Sequence, residues 1–186
     1  MRFLETEIPG AWIIDPMIHR DDRGRFMRAW CIEEMSAHGI EFVPLQANMG
    51  RSDQAGTVRG LHFQVAPSEE AKLVRCTSGA AFDVLVDLRA GSATFGRWFG
   101  TELTSDNGRM LYVPPMCAHG YQTLTNDAEI YYLTSAVYAP VSVRGLRYDD
   151  PTVGIRWPLA VQALSEQDER WPFLDGLLDH EEDGTP

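Results

Sequence analysis

From about residue 43 to 147 the chain is a succession of short apolar runs cut by turn residues, and this pattern constrains the fold more than any other feature. Phe82, Val84, Val86 and Leu88 alternate with Asp83, Leu85 and Asp87, the period of two shown by a strand with one face in a core. On that pattern Asp83 and Asp87 share a face expected to be solvated, unless Asp83 serves to orient Lys72 or His119. Turn signals follow at Gly79, Ala90-Gly91-Ser92, Ser105-Asp106-Asn107-Gly108 and Thr125-Asn126-Asp127. Many short strands at such spacing predict an all-β sandwich or closed barrel, here a jelly roll. Outside this region, residues 11 to 15 read as a strand ended by Pro16, Asp21-Asp22-Arg23-Gly24 as a turn, and Ile32 to His38 as a short helix stopped by Gly39. After Pro158, Ser165-Glu166-Gln167-Asp168 opens another short helix that Pro172 ends. That segment is expected to pack against the barrel rather than join it.

A chain of 186 residues suits one domain with a full core. Residues 1–178 are read as that domain, and 179–186, with Asp179, Glu181, Glu182 and Asp183, as an acidic tail. A formal charge of -11 argues against nucleic acid or an anionic membrane as partner, since both are bound through positive fields. Arg20, Arg23, Arg25 and Arg28 nevertheless cluster near the start, with Arg51 and Arg59 further on, which leaves room for a small phosphorylated ligand. Cys31, Cys76 and Cys117 make no complete disulfide set and show no metal-ligand spacing. With no signal-peptide pattern and no apolar run of membrane-spanning length, the expected location is cytoplasmic.

Chemistry concentrates in Arg59-Gly60-Leu61-His62-Phe63-Gln64 and Lys72-Leu73-Val74-Arg75. Lys72 is the only lysine, against fifteen arginines, so an ammonium stands where the chain elsewhere prefers a guanidinium. If Leu61 and Phe63 face the outer packing, His62 faces the interior. There it is either a core histidine satisfied by a neighbour or a functional group. A metal site is disfavoured, because the residue two after His62 is Gln64 and His119 is the only other histidine in the strand region. Tyr131 and Tyr132 must face opposite ways on a strand, and each alone reads as a buried aromatic. Tyr138, before Ala139-Pro140, reads equally as a loop aromatic. Ser165-x-x-Asp168 reads as a capping-box variant, and an Asp168 that also reaches a histidine is the alternative.

Taken together these segments resemble the dTDP-4-dehydrorhamnose 3,5-epimerase family. The likeness runs to about residue 174 through Asp22-Arg23-Gly24 with Phe26, Gln46-x-Asn48, Arg59 to Gln64, Lys72 to Arg75, Phe82-Asp83-Val84, Ala118-His119-Gly120, Asp150-Pro151 with Trp157-Pro158, and Leu164-Ser165-Glu166-x-Asp168. The resemblance implies a cupin-like jelly roll, homodimeric, with no metal and no cofactor, acting on a nucleotide-linked 4-keto-6-deoxyhexose. It implies His62 as base, Asp168 as its orienting carboxylate, Tyr132 as the acid on the opposite face, and Lys72 as donor to the C4 oxyanion. Arg23 and Arg59 match pyrophosphate-binding positions, Phe26, Gln46, Asn48 and Tyr138 match positions lining nucleotide and sugar, and His119 matches a residue beside the sugar. Departures surround this set. Arg28, assigned to the substrate, stands where the family usually has a glutamate, Val143 replaces another glutamate, and Leu133 and Gln167 replace lysines. A single-centre epimerase, an enzyme for another nucleotide sugar and a non-catalytic sugar-nucleotide binding module are the alternatives.

Overall fold

A computed structural model describes residues 1–177. The expected domain end at 178 and the tail at 179–186 lie outside the described residues. In chain order the strands are β1 (Arg2–Glu5), β2 (Trp12–Asp15), β3 (Ile18–Asp21), β4 (Gly24–Met27), β5 (Gln46–Ser52), β6 (Val58–Gln64), β7 (Lys72–Ser78), β8 (Ala80–Asp87), β9 (Trp98–Thr104), β10 (Met110–Val113), β11 (Cys117–Thr123), β12 (Ala128–Thr134) and β13 (Val143–Gly145). Two short helices, α1 (Ile32–Ser36) and α2 (Glu166–Arg170), and a 3-10 turn at Pro140–Ser142 accompany the strands, and residues 174–177 are helical as well. None of the described helices is long and apolar enough to cross a membrane.

The strands form two facing sheets, in the orders β1-β2-β10-β7-β12-β5 and β13-β6-β11-β8-β9, with β3-β4 a separate hairpin. Every pairing within them is antiparallel, the arrangement of a jelly roll. Between the sheets, Val74, Cys76, Leu85, Leu103, Leu111 and Ile130 pack into one core. Each sheet is also covered over part of its outer face. Ile14, Leu73 and Met110 of the six-stranded sheet meet Met35, Ile40 and Phe42 of α1 and the stretch after it. On the other side Leu61, Phe63, Val84 and Val86 are covered by the late segment through Val153, Trp157 and Leu174.

This double covering corrects one expectation. Asp83 and Asp87 are both fully buried, because the face they share with Leu85 is the one turned between the sheets, while the apolar side of β8 lies under the late segment. Buried carboxylates need partners. Asp87 accepts from Arg89 Nε at 2.8 Å, Ser92 Oγ at 2.6 Å and Thr94 Oγ1 at 2.6 Å. The late segment also joins the barrel at one point, through a parallel bridge between Thr57 and Ala163 in which the Val58 N–H donates to the Ala163 carbonyl.

Gly60 shapes the region that follows. Its φ is +117° and a Cβ there would stand 2.6 Å from the Gly120 Cα and 2.7 Å from the His119 carbonyl oxygen, so only glycine lets β6 and β11 approach so closely. The register between them shifts just beyond, between His119 and Tyr121, and leaves His119 directly opposite His62.

Candidate active site

His62, Lys72, Tyr132 and Gln167 line two adjoining cavities of ≈ 570 and ≈ 320 Å³. The first continues along Arg59, His119, Tyr121 and Asp168, the second along Gln46, Asn48, Gln64, Glu70 and Tyr138. Strand alternation sets this up. Leu61 and Phe63 enter the outer core, so His62 turns inward with its side chain 40% exposed.

The His62 ring is held by Asp168, whose Oδ1 lies 2.5 Å from Nε2. The sequence offered Asp168 as the second member of a capping box or as a histidine partner; Ser165 makes the cap and the Asp168 carboxylate goes to the ring. The Asp168 backbone N–H donates to Ser165 Oγ at 3.1 Å, capping α2, which leaves the carboxylate free for the ring. That carboxylate also accepts from the Gly60 N–H at 3.3 Å and from Trp171 Nε1 at 3.3 Å. Burial pushes the Asp168 carboxyl up, but the His62 hydrogen bond and charge, with the Gly60 N–H, outweigh it and hold the group below its ordinary value. An ionised Asp168 takes the Nε2 proton as acceptor, so the lone pair of the neutral ring lies on Nδ1. Trp171 stands behind the pair at 6.1 Å from the His62 ring, edge to face. It can do so because Gly145 on β13 has no side chain: a Cβ there would lie 2.2 Å from Trp171 Cδ2.

Lys72 is buried, 5% exposed, and its Nζ donates to the His62 carbonyl at 2.9 Å and meets Glu70 Oε1 at 3.0 Å. The Glu70 contact is an ion pair, and the His62 carbonyl is the one hydrogen-bond acceptor of the ammonium among the described residues. Tyr132 enters the inner core while its neighbour Tyr131 faces the other way. Burial, then the Glu70 charge, raise the Tyr132 pKa against the pull of Arg59, so at neutral pH it is a phenol. Arg59 donates to Ser52 Oγ and the Arg51 carbonyl, both at 3.1 Å. Neither acceptor is charged, and its positive charge remains available to an anion. Gln46 Nε2 donates to Asn48 Oδ1 at 2.9 Å and its Oε1 accepts from the Tyr138 N–H at 3.0 Å, which ties the loop carrying Tyr138 to the cavity rim.

His119, 7% exposed, is bonded through Nε2 to Asp83 Oδ1 at 2.9 Å. Asp83 therefore orients His119, and Lys72 has Glu70 instead. Each histidine is committed to its own carboxylate. Among the described residues no three His, Cys, Asp or Glu side chains converge as metal ligands would.

Three expected substrate residues are not brought to this site within one chain. Arg23 and Phe26 border a separate cavity on the β3–β4 hairpin, where Arg23 pairs with Asp21 at 2.5 Å and is 89% exposed. Phe26 is 73% exposed, and Arg28 pairs with Glu34 at 2.6 Å. The hairpin pairs with neither main sheet, so nothing in the strand order draws it inward. Sequence reasoning also missed Glu70 and Trp171. Glu70 could have been sought from its position two residues before the lone lysine, and Trp171 from its place three residues after Asp168 at the end of α2.

Two facing antiparallel sheets with titratable side chains gathered between them make a cupin-like jelly roll, and the solved structures it resembles are epimerases. The sequence profile of dTDP-4-dehydrorhamnose 3,5-epimerase matches residues 5–176, and the chain belongs to that family of isomerases. It is 43% identical to the dTDP-4-dehydrorhamnose 3,5-epimerase of Sinorhizobium fredii over 175 residues, covering 94% of this chain and 90% of that one. Among solved structures it is similar to the dTDP-6-deoxy-D-glucose-3,5-epimerase of Legionella pneumophila in complex with dTDP-4-keto-L-rhamnose, with TM-score 0.91, 37% identity and coverage of 97% and 95%. It is also similar to ChmJ, a 3'-monoepimerase from Streptomyces bikiniensis in complex with dTDP-quinovose, with TM-score 0.88, 35% identity and coverage of 95% and 89%.

Proposed function

We propose that the protein epimerises a dTDP-linked 4-keto-6-deoxyhexose at C5 and C3 through an enolate. One observation carries this reading: a carboxylate-backed histidine, an ammonium with a spare donor and a protonated phenol surround one cavity. A C–H next to a ketone gives up its proton only where a base is placed for it and the oxyanion is stabilised. His62 Nδ1 takes the proton and Asp168 stabilises the imidazolium that forms, as orienting carboxylates do. Lys72 directs a free N–H to the C4 oxygen as negative charge develops there. Tyr132 returns a proton from the other face and inverts the centre. Arg59 takes the pyrophosphate, for which a guanidinium fork is suited.

Incubation with dTDP-4-keto-6-deoxyglucose in D2O tests this directly. Deuterium at both C3 and C5, seen by NMR, is the expected result, and no exchange at either position would remove the reading. The likeness to a 3'-monoepimerase supports one alternative, inversion at C3 alone, and exchange confined to C3 would select it.

The substrate roles of Arg23 and Phe26 fit a homodimer in which the hairpin of one copy reaches the cavity of the other. Mixing Arg23→Ala and His62→Ala subunits is the test. Shared sites predict activity above that of either parent, because each mixed dimer regains one intact site; sites built within one chain predict none.

A further inference from the structure

Glu70 has a place in the cavity that the epimerase reading leaves without a task. Its side chain is 11% exposed and its two oxygens are divided between two partners: Oε1 meets Lys72 Nζ at 3.0 Å, and Oε2 accepts from Gln64 Nε2 at 3.2 Å. Gln64 is itself held in one orientation. Its Oε1 accepts from the Ala139 N–H at 2.7 Å, and its Nε2 also donates to the Ser68 carbonyl at 3.0 Å. A backbone-anchored amide thus fixes the carboxylate, and the carboxylate fixes the ammonium. A buried charge pair whose carboxylate is anchored by such an amide is rigid, and a rigid pair can set a geometry.

We infer that Glu70 is a positioning residue for the epimerisation: its ion pair with Lys72 and the hydrogen bond from Lys72 to the His62 carbonyl hold the ammonium from two sides, so that a free N–H is aimed at the substrate C4 oxygen. Without Glu70, Lys72 keeps a single anchor at the His62 carbonyl, 2.9 Å away, and the ammonium is free to swing about its flexible stem. Oxyanion donors contribute only when they stand where charge develops. Glu70 also adds negative charge beside Tyr132 that, after burial, helps keep the phenol protonated against Arg59.

This inference rests on the epimerase reading, and the experiment separates the two. Solvent exchange and steady-state turnover are measured with dTDP-4-keto-6-deoxyglucose for the wild type, Glu70→Ala, Lys72→Ala and the double variant. A misplaced donor predicts that Glu70→Ala lowers kcat roughly 10- to 100-fold with KM little changed. Because Glu70 acts through Lys72, the same substitution in the Lys72→Ala background should change kcat by no more than about twofold, the range in which independent effects blur. An equal loss in both backgrounds, or wild-type kcat in Glu70→Ala, overturns the inference and leaves the function standing. Absence of exchange in the wild type overturns both. If Glu70→Ala does not fold, Glu70→Gln serves in the same cycle: it keeps an oxygen for Lys72, loses the charge, and sets an amide N–H2 against that of Gln64.

Discussion

His62 and His119 stand directly opposite each other on neighbouring strands, yet each is bonded to a different carboxylate, Asp168 from the late helix and Asp83 from the adjacent strand. The difference in exposure separates their tasks. His62 is 40% exposed at the cavity, whereas His119 is 7% exposed and its Asp83 partner fully buried. Only His62 has room to exchange a proton with a ligand, and His119 forms part of the fixed wall.

Removal of the proposed base should therefore cost far more activity than stability. His62→Ala is expected to lower kcat/KM by about 10² to 10⁴, the usual worth of one positioned acid or base, and Tyr132→Phe by a comparable factor. Asp168→Asn should fall in the same range, because an amide can present N–H2 to Nε2 and reverse the ring tautomer. Steady-state kinetics with a thermal melt on each variant checks this; wild-type turnover in His62→Ala would remove His62 from the mechanism.

Lys72→Arg keeps the charge and changes its shape. Lys72 lies between the His62 carbonyl and Glu70 in a site where it is 5% exposed, so a wider planar fork has to move one of them. A loss of at least about tenfold in kcat is expected, in line with the non-equivalence of the two cations at constrained sites. Near-normal turnover would count against a compact ammonium at the C4 oxygen.

Gly145→Ala introduces a methyl group 2.2 Å from Trp171 Cδ2. The indole must shift, at a cost of roughly 1 to 3 kcal/mol for overpacking, and with it goes the Nε1 donor to Asp168. Urea unfolding should show the destabilisation, and indole fluorescence the displacement. An unchanged midpoint together with unchanged kcat would show that Trp171 does not brace the His62–Asp168 pair.

Acid should unfold the protein through its buried carboxylates. Asp87 is held far below the ordinary 3.8: burial pushes it up, but Arg89, Ser92 and Thr94 together pull it down further. Asp15, through the Arg109 hydrogen bond, and Asp168 are lowered as well. A folded-state value below the unfolded one adds stability that is complete above about pH 4 and lost as pH falls through the depressed values. Denaturant unfolding from neutral pH downward should accordingly show a falling acid limb that is shallower in Asp87→Asn. Parallel limbs in the two proteins would assign the acid sensitivity elsewhere.

Much of the fold follows from local chemistry. The alternation along Phe82–Leu88, the turn at Gly79 and the helix opened by Ser165 are each dictated by neighbours within a few residues, and all appear where expected. Even the inward turn of His62 was conditional only on where Leu61 and Phe63 pack. The face of β8 was misjudged for a reason of the same kind: a period of two says that two faces differ, and it does not say that the late segment covers the apolar one and so leaves Asp83 and Asp87 between the sheets.

What the sequence by itself determined is the set of strands, the turns between them and the residue types available for proton transfer near Lys72. The tertiary structure decided which of them meet. His62 lies 106 residues from Asp168, and His119 lies 36 from Asp83; antiparallel pairing of β11 with β8 sets His119 near Asp83, and the parallel bridge of Thr57 with Ala163 brings the segment carrying Asp168 to the start of β6. It also kept Arg23 and Phe26 away from the cavity of their own chain and gave Lys72 its partner in Glu70. Side-chain direction is a local property of a strand, whereas the choice of partner belongs to sheet order and packing, which depend on the whole chain.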